Sequence, residues 1–316
     1  MRLGHPVVIG GPDFLLIGAA KSGTTALYRA LRDHPQIFMP HNKEPHFFAF
    51  PAGPLSVGGP RDRERHGRTI TDQEAYETLF AARRPDQIAG EASTYHLCSP
   101  IAATRIRDAL PRVRLLAILR EPAARAYANY LHLVRQGFET AATFEEALDL
   151  EPARTAAGWD FFWRYRDLGY YHRQLARYYD LFEPDRIKVM LYDDFQRDPA
   201  GIVRGIFSFL GVDESFRPEL SRRFNRSGIP RSRRVQTWLA APPRGIRALA
   251  RRWLTSDQRL MVAEAIGGLN LRRPTPEPAA MQDLRRGYRA DLEALERLTG
   301  IDLSIWLRQE RESVPR

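Results

Sequence analysis

The stretch Phe14-Leu-Leu-Ile-Gly-Ala-Ala-Lys-Ser-Gly-Thr-Thr-Ala-Leu27 decides the fold of this chain. Its first four residues predict a buried strand, the small residues Gly18–Gly23 predict a turn, and apolar residues within Thr24–Asp33 recur at helical spacing. A loop that leads into a helix presents unpaired main-chain N–H groups and the positive end of the helix dipole. We therefore expect Gly18–Thr25 to bind a phosphate or sulfate group; an ordinary strand-to-helix turn is the alternative.

The loop differs from the phosphate loop of nucleoside triphosphatases. That loop reads G-x-x-x-x-G-K-[ST], whereas here Lys21 comes two positions before Gly23 and two threonines follow. The sequence also offers no compelling acidic strand end for magnesium, because Asp193 and Asp194 stand beside Asp198-Pro199, a pair typical of a surface turn. We expect no metal.

Further apolar runs alternate with helical patterns. Strands are predicted at Gln87–Ala89, Val113–Leu119 and Ile187–Tyr192. The helices predicted around them are Asp72–Ala82, Pro100–Leu110, Pro122–Arg135, Leu168–Phe182 and Ala200–Leu210. This alternation indicates an α/β fold with a central, mostly parallel sheet flanked by helices, in which ligands bind at the carboxyl ends of the strands.

We expect a single domain over residues 1–316, with a core of about residues 14–239 and a helical extension of about residues 240–316. The segment Pro51–Arg68, rich in Gly, Pro and Arg, is predicted to form a loop over the ligand-binding edge of the sheet. From Ser256 onward the pattern is purely helical, and it ends in Pro278–Leu298 and an apolar Ile301–Leu307 segment.

Composition places the chain among soluble folded proteins. Hydrophobic residues make up 43% and charged residues 27% of the 316 residues. No uncharged stretch approaches the roughly 18 apolar residues of a membrane span, and Lys21 directly follows the first apolar segment, which argues against a signal peptide. Cys98 is the single cysteine, so a reducing compartment fits and the cytoplasm is the default location.

The charge balance points to an anionic partner. The net charge of +10 suits a nucleic acid, a phospholipid surface, or a phosphorylated or sulfated small molecule. Lysine is rare: it occurs only at Lys21, Lys43 and Lys188, so 45 of the 48 basic residues are arginine. Against that background, a lysine within the anion-binding loop is informative.

The chain resembles a known family through motifs that occur in the same order along the sequence. The quoted stretch resembles the 5′-phosphosulfate loop of sulfotransferases that use 3′-phosphoadenosine 5′-phosphosulfate (PAPS). The resemblance covers about Phe14–Leu239, and its further motifs are Lys43-Glu-Pro-His-Phe-Phe48, Gly90-Glu-Ala-Ser-Thr-Tyr95, Leu119-Arg-Glu-Pro122, Leu168-Gly-Tyr-Tyr171 and Asn225-Arg-Ser-Gly-Ile-Pro-Arg-Ser-Arg233. It is similar to bacterial members akin to the heparan sulfate sulfotransferases, rather than to the cytosolic steroid and phenol type.

For the donor, the resemblance implies PAPS as the substrate and 3′,5′-adenosine bisphosphate (PAP) as the product. It places Lys21 beside the bridging oxygen of the donor, where a positive charge offsets the charge that grows on the departing 5′-phosphate. The same phosphate would be held by the small and hydroxyl residues of the loop, which are Ser22, Gly23, Thr24 and Thr25.

The resemblance also assigns residues to the 3′-phosphate. It gives that phosphate to Arg120, although a structural ion pair with Glu121 or Glu91 is an alternative role for this arginine. Family members usually carry a serine eight residues after the arginine, where this chain has Ala128; the adjacent Asn129 is a substitute, but a neighbouring helix position points about 100° away. Further along the chain, Arg231 and Arg233 are also proposed phosphate contacts, with a solvated basic loop as the alternative.

On the acceptor side, an alcohol or amine loses a proton as sulfur is attacked, which requires a nearby base. Glu44 matches the place of the catalytic glutamate of the heparan sulfate enzymes, and His46 beside it is a candidate orienting or substrate-binding partner. Glu91 and Ser93 are candidate acceptor-pocket residues. Ala92 stands where those enzymes have a lysine, which weakens the case for a polyanionic glycan.

Three functions remain open at this point. We expect a sulfotransferase that acts on a hydroxyl or amine of a carbohydrate, glycolipid or secondary metabolite. The alternatives are an ATP-dependent kinase of small molecules or nucleotides with an atypical phosphate loop, and, less favoured, a basic nucleic-acid-binding protein. The leading interpretation needs no nucleic acid, leaves membrane association possible but not indicated, and says nothing about oligomeric state.

Overall fold

The fold is built on a five-stranded sheet in which all strands are parallel. A computed structural model describes residues 11–55, 57–220, 229–230, 271–272 and 274–311. The strands are β1 (Phe14–Gly18), β2 (Ile37–Phe38), β3 (Ile88–Ala92), β4 (Arg114–Leu119) and β5 (Ile187–Leu191). Their order across the sheet is β2-β3-β1-β4-β5, so β1 lies at the centre with Leu15 beside Glu91 on one side and Leu115 on the other. The predicted α/β fold is confirmed.

Helices cover both faces of the sheet. They are α1 (Thr24–Arg32), α2 (Asp62–Arg65), α3 (Gln73–Thr78), α4 (Tyr95–Cys98), α5 (Ala102–Ala109), α6 (Pro122–Gln136), α7 (Phe144–Ala156), α8 (Tyr171–Tyr179), α9 (Tyr192–Arg197), α10 (Pro199–Leu210), α11 (Pro278–Thr299) and α12 (Ser304–Arg311). Short 3₁₀ turns lie at Phe47–Ala49, Phe161–Trp163, Asp167–Gly169 and Pro184–Arg186.

The strands are mostly apolar because side chains from both of their faces are buried. Leu15 and Ile17 pack into one core cluster with α5, α6, α8 and α11, whereas Phe14 and Leu16 pack into a second cluster with α1 and α10. Gly90 on β3 lies against the Phe14 ring, where any side chain would overlap with that ring.

Two predictions about the path of the chain are wrong. The Pro51–Arg68 segment is not wholly a loop, because α2 forms within it. The buried Asp62 carboxylate accepts hydrogen bonds from the Gly59 N–H (2.9 Å) and the Trp163 indole (3.0 Å). These bonds attach the segment to the interior of the protein. The chain after Ser256 is not purely helical either, since Leu271–Arg272 pair antiparallel with residues 229–230.

Several elements have no counterpart in the sequence-based prediction: the short helices α4 and α9, the strand β2 and the helix α7. The strand β2 contains two residues, too few to show a periodic pattern. The helix α7 contains Pro152, a residue that normally ends a helix, and it begins at a Thr143 side chain that accepts a hydrogen bond from the Glu146 N–H (3.2 Å). The predicted Leu168–Phe182 helix is a 3₁₀ turn followed by the shorter α8.

The C-terminal helices pack directly on the core. On α11, Leu284, Tyr288, Leu292 and Leu295 are buried, and the Tyr288 hydroxyl donates a hydrogen bond to the Arg166 carbonyl (2.8 Å). On α12, the Trp306 indole donates to the Asp193 carboxylate (2.9 Å). None of the helices in the described ranges combines the length and the apolar character that crossing a bilayer requires.

This packing predicts that the C-terminal helices unfold together with the sheet. Leu292 is 3% exposed, so Leu292→Ala should lower the free energy of unfolding by about 2–5 kcal/mol, the usual cost of such a cavity. The matched control is Leu150→Ala on α7, where the side chain is 38% exposed and the change should stay within about 0.5 kcal/mol. Urea unfolding followed by circular dichroism should give one transition. A separate early transition with an unchanged main midpoint would show that α11 is an independent unit.

Candidate active site

The candidate site lies where three neighbouring strands end. The strand β1 leads into the loop that carries Lys21, and β4 is followed directly by Arg120. The segment with Glu44 is attached to the end of β3, because the Glu44 N–H donates to the Ala92 carbonyl (3.0 Å). Since all three strands are parallel and adjacent, these groups come together at one edge of the sheet.

The loop before α1 presents an open set of hydrogen-bond donors. No side chain caps α1, and within the described residues no acceptor pairs with the main-chain N–H of Gly23, Thr24 or Thr25. The Ser22 hydroxyl is buried without a hydrogen-bond partner. Buried donors without partners are costly, so this loop fits an anion with several acceptor oxygens.

Gly23 is required for the shape of this loop. Its φ of 94° lies in the left-handed region, and a Cβ atom here would lie 3.0 Å from the Tyr192 ring. The Tyr192 ring also lies beneath the Arg120 guanidinium, with 5.2 Å between Cζ and the ring centroid. One aromatic ring therefore contacts both the loop and the arginine that follows β4.

The Lys21 ammonium has no ion-pair or hydrogen-bond partner within the described part of the chain. Its pKa is lowered to about 7, and burial is the largest cause. The positive charges of Arg135, Lys43 and Arg120 lower this pKa further, whereas the Glu44 carboxylate opposes them. A bound anion would reverse this balance and favour the charged ammonium.

Arg120 is oriented by neutral groups. Its Nη1 donates to the Lys21 carbonyl (3.2 Å), and its own carbonyl accepts a hydrogen bond from the Tyr171 hydroxyl (2.9 Å). Burial lowers the pKa of Arg120. The Glu121 carboxylate caps α6 through the Ala123 and Ala124 N–H groups instead of pairing with this arginine.

The structural ion pair considered for Arg120 is therefore not formed. Across the described ranges, no carboxylate lies within ion-pair distance of its guanidinium. A largely buried guanidinium without an anion is costly, so this position also fits a negatively charged ligand.

The Glu44 carboxylate is held by fixed donors and by one lysine. Its Oε2 accepts hydrogen bonds from the Thr94 N–H (2.8 Å) and hydroxyl (3.0 Å), while its Oε1 pairs with the Lys43 ammonium. Burial alone would raise the pKa of Glu44, but Lys43, His46 and the Thr94 N–H outweigh it and lower the pKa to about 2. The carboxylate is ionised at neutral pH, with 27% of the side chain exposed.

His46 lies directly beside this carboxylate. Its Nε2 is 3.5 Å from Glu44 Oε2, and its ring stacks on Tyr95 with 4.2 Å between centroids. The Tyr95 hydroxyl in turn donates to the buried Asp160 carboxylate. Burial lowers the pKa of His46 to about 4, so the imidazole is neutral at neutral pH and suits an orienting role.

Backbone strain is concentrated at this site. Among the described residues, four residues other than glycine have a positive φ, and Lys21 (66°), Glu44 (67°) and His46 (54°) are three of them. Such conformations cost about 1–3 kcal/mol each and persist where the surrounding structure enforces them. Their clustering marks this edge of the sheet as the functional one.

Glu91 and Ser93 lie in the interior. Glu91 is 1% exposed and accepts a hydrogen bond from the Tyr76 hydroxyl (3.2 Å), and burial raises its pKa to about 8. The Ser93 hydroxyl is fully buried and accepts from the His46 N–H (2.9 Å). Glu91 lies on β3 and Ser93 follows the end of that strand, and both side chains are buried, with Ser93 supporting His46. Their assignment to the acceptor pocket stays a prediction.

Of the remaining donor-site candidates, the structure describes only Asn129. Asn129 is fully buried, and its amide donates to the Phe162 carbonyl (2.6 Å), so a core contact already engages that amide. Arg231 and Arg233 lie outside the described residues.

Sequence reasoning missed three contributors. Tyr192 is an aromatic residue directly after a strand end, a signal that a search of each strand end would find. Lys43 and Thr94 occur in quoted motifs but received no role, because only the three-dimensional structure shows that both donate to Glu44. The described residues contain no group of three or more His, Cys, Asp or Glu side chains that could hold a metal ion.

Comparisons with known proteins identify relatives of similar chemistry. Mouse heparan sulfate glucosamine 3-O-sulfotransferase 3B1 is 26% identical over 206 residues, which are 64% of this chain and 46% of that protein. Human bifunctional heparan sulfate N-deacetylase/N-sulfotransferase 3 is 28% identical over 213 residues, 64% of this chain and 22% of that protein. The chain thus spans less than half the length of these curated relatives.

A solved structure matches nearly the whole fold. The sulfotransferase from Alicyclobacillus acidocaldarius has a TM-score of 0.74 and 34% identity, covering 93% of this chain and 98% of that one. A family model described as the sulfotransferase family matches residues 12–217. Because that match covers more than half of the chain and includes the anion-binding loop, this chain belongs to the sulfotransferase family.

Proposed function

We propose that this sulfotransferase takes its sulfuryl group from PAPS and releases PAP. The observation that carries the proposal is the loop before α1, where the buried Ser22 hydroxyl, the free N–H groups of Gly23–Thr25 and the unpaired Lys21 ammonium offer an anion many donors and no negative charge. Family membership favours sulfuryl transfer over the kinase and nucleic-acid alternatives.

PAPS would supply an activated sulfuryl group whose bond to the 5′-phosphate oxygen breaks as the acceptor oxygen or nitrogen bonds to sulfur. The bond electrons leave with the phosphate oxygen, and the acceptor proton passes to Glu44. Lys21 holds the departing 5′-phosphate together with Ser22 and the first turn of α1. Glu44 acts as the base, and His46 keeps its carboxylate oriented.

Arg120 would bind the 3′-phosphate of the donor. It lies at the same sheet edge as the loop, and the Tyr192 ring keeps its guanidinium beside Gly23. Arg231 and Arg233 stay proposed as further contacts, in the positions that the family resemblance gives them.

We propose a hydroxyl or amine of a carbohydrate, glycolipid or secondary metabolite as the acceptor. The names of the curated relatives, which specify heparan sulfate, support a carbohydrate among these classes. Ala92, where the heparan sulfate enzymes carry a lysine, favours an acceptor with less negative charge than heparan sulfate.

Glu44→Gln should lower turnover by about 10² to 10⁴-fold while PAP affinity changes little, because the substitution removes a base but keeps the shape of the side chain. Glu183→Gln is the matched control, since Glu183 is exposed and precedes β5 at the opposite edge of the sheet. The measurement is sulfuryl transfer to a panel of sugar and phenol acceptors from labelled PAPS. Equal turnover in Glu44→Gln and the parent protein would remove Glu44 as the base.

Arg120→Ala should weaken PAP binding by roughly tenfold or more, because a charged hydrogen bond contributes about 1.5–3 kcal/mol. Adenosine 5′-phosphate, which lacks the 3′-phosphate, should bind the variant and the parent protein alike. Calorimetric titration of both ligands measures the difference, with Arg204→Ala on an exposed face of α10 as the control. Equal weakening for both ligands would show that Arg120 only supports the loop.

PAP affinity should fall as the pH rises from about 7 to 9. An anion binds the protonated ammonium, the pKa of Lys21 is about 7 in the free protein, and the complex must therefore take up a proton above that pH. Lys21→Arg should flatten this dependence, because arginine stays charged throughout the range. Isothermal titration at several pH values measures PAP binding to the parent protein and to Lys21→Arg. Because the ligand is the same, protonation of PAP itself contributes equally to both pH profiles and cancels from their difference. Parallel pH profiles would overturn the assignment of Lys21 to the 5′-phosphate.

A further inference from the structure

We propose that Lys43 is a further catalytic residue that changes partner during the reaction: its ammonium pairs with Glu44 before the donor binds and moves to the sulfuryl oxygens of the donor afterwards. This change of partner releases the Glu44 carboxylate at the point when the sulfuryl group of the donor is bound. This inference rests on the proposed PAPS-dependent function and adds to it a residue and an order of events.

The first argument is that Lys43 holds the Glu44 oxygen that Thr94 leaves free to act as the base. Oε1 pairs with the Lys43 ammonium, and Oε2 accepts two hydrogen bonds from Thr94 with His46 Nε2 at 3.5 Å. A general base needs a lone pair directed at the acceptor proton within hydrogen-bond distance. The Lys43 ammonium on Oε1 opposes protonation of that oxygen, so its departure makes Glu44 a stronger base.

The second argument is that Lys43 is the donor that can leave. The Thr94 N–H belongs to the main chain where β3 passes into α4, and Ser93 and Tyr95 hold His46 in place. Lys43 reaches Glu44 with the end of a long side chain whose four rotatable bonds allow its ammonium to move while the main chain stays fixed. Within the described ranges, its ammonium has no partner other than Glu44.

The third argument is electrostatic. The positive charge of Lys43 is one cause of the lowered pKa of Lys21, and the segment of Lys43 and Glu44 is hydrogen-bonded to the end of β3, next to the end of β1 that carries the Lys21 loop. The sulfuryl oxygens of a donor bound at this edge carry negative charge and accept hydrogen bonds. Lys43 would therefore exchange one anionic partner for another, so the net change in its own interaction energy is small. Glu44 would lose the strongest positive charge beside it, and its proton affinity would rise.

The chain permits a direct test because it contains only three lysines. Protein labelled with ¹³C at lysine Cε should give three side-chain NMR signals, assigned with Lys21→Arg, Lys43→Arg and Lys188→Arg. Glu44→Gln provides the reference position for a Lys43 without its carboxylate partner. Lys188, on β5 with its ammonium 5.8 Å from the Phe209 ring, serves as the internal control.

PAP should shift the Lys21 signal and leave Lys43 near its free position, whereas PAPS should shift both Lys21 and Lys43 and leave Lys188 unchanged. A Lys43 signal that stays in place with PAPS, while Lys21 responds to both ligands, would overturn the change of partner and leave the donor site standing. No response of Lys21 to either ligand would overturn the proposed PAPS site and this inference with it.

Kinetics give a second test. Lys43→Met should lower kcat by about 10²- to 10³-fold, the range expected when one donor to a developing charge is removed, and should leave the Kd for PAP nearly unchanged. Lys188→Met should match the parent protein in both quantities. An unchanged kcat in Lys43→Met would show that the ion pair with Glu44 has no part in the reaction.

Discussion

The parallel pairing of β3, β1 and β4 is the constraint on which the rest of the site depends. Each strand is buried on both faces and mostly apolar, and parallel pairing brings the three carboxyl ends to one edge. Lys21, Arg120 and the Thr94 that holds Glu44 follow those ends directly or within a few residues. An antiparallel arrangement of the same strands would place them at opposite edges of the sheet.

This edge is built with more positive charge than the protein itself neutralises. Lys21 and Arg120 have no carboxylate partner within the described residues, and Glu44, the nearest carboxylate, already pairs with Lys43. Burial makes such an arrangement unfavourable, which the lowered pKa of Lys21 reflects. The proposed donor, a doubly phosphorylated and sulfated nucleotide, would offset this cost, and part of its binding free energy would come from relief of the repulsion between these positive charges in the free protein.

The order of motifs along the sequence was sufficient for the fold and for placing Lys21, Arg120 and Glu44 near strand ends, because strand ends and small-residue turns are local signals. The roles of these three residues stay predictions. Roles that depend on the direction of a side chain were not predictable. Glu91 and Ser93 lie in a site-like motif, but both side chains are buried at the end of β3 and directly after it. Asn129 follows Ala128 on α6, and its amide donates to the Phe162 carbonyl. The α2 turn is stabilised by Asp62 contacts with Trp163, about a hundred positions away, and no local pattern encodes such a contact.

The acidity of Glu44 connects the donor site to the acceptor chemistry. A carboxyl with a pKa of about 2 is a weak proton acceptor, and its weakness comes from Lys43, His46 and Thr94 acting against burial. Among these, His46 is already neutral and the Thr94 N–H is fixed, so the charge of Lys43 is the one cause that ligand binding can remove. If Lys43 turns to the donor, burial dominates and the pKa of Glu44 rises, which makes it a better base. Donor binding and the proton affinity of Glu44 are then linked, because both depend on whether the Lys43–Glu44 ion pair is formed.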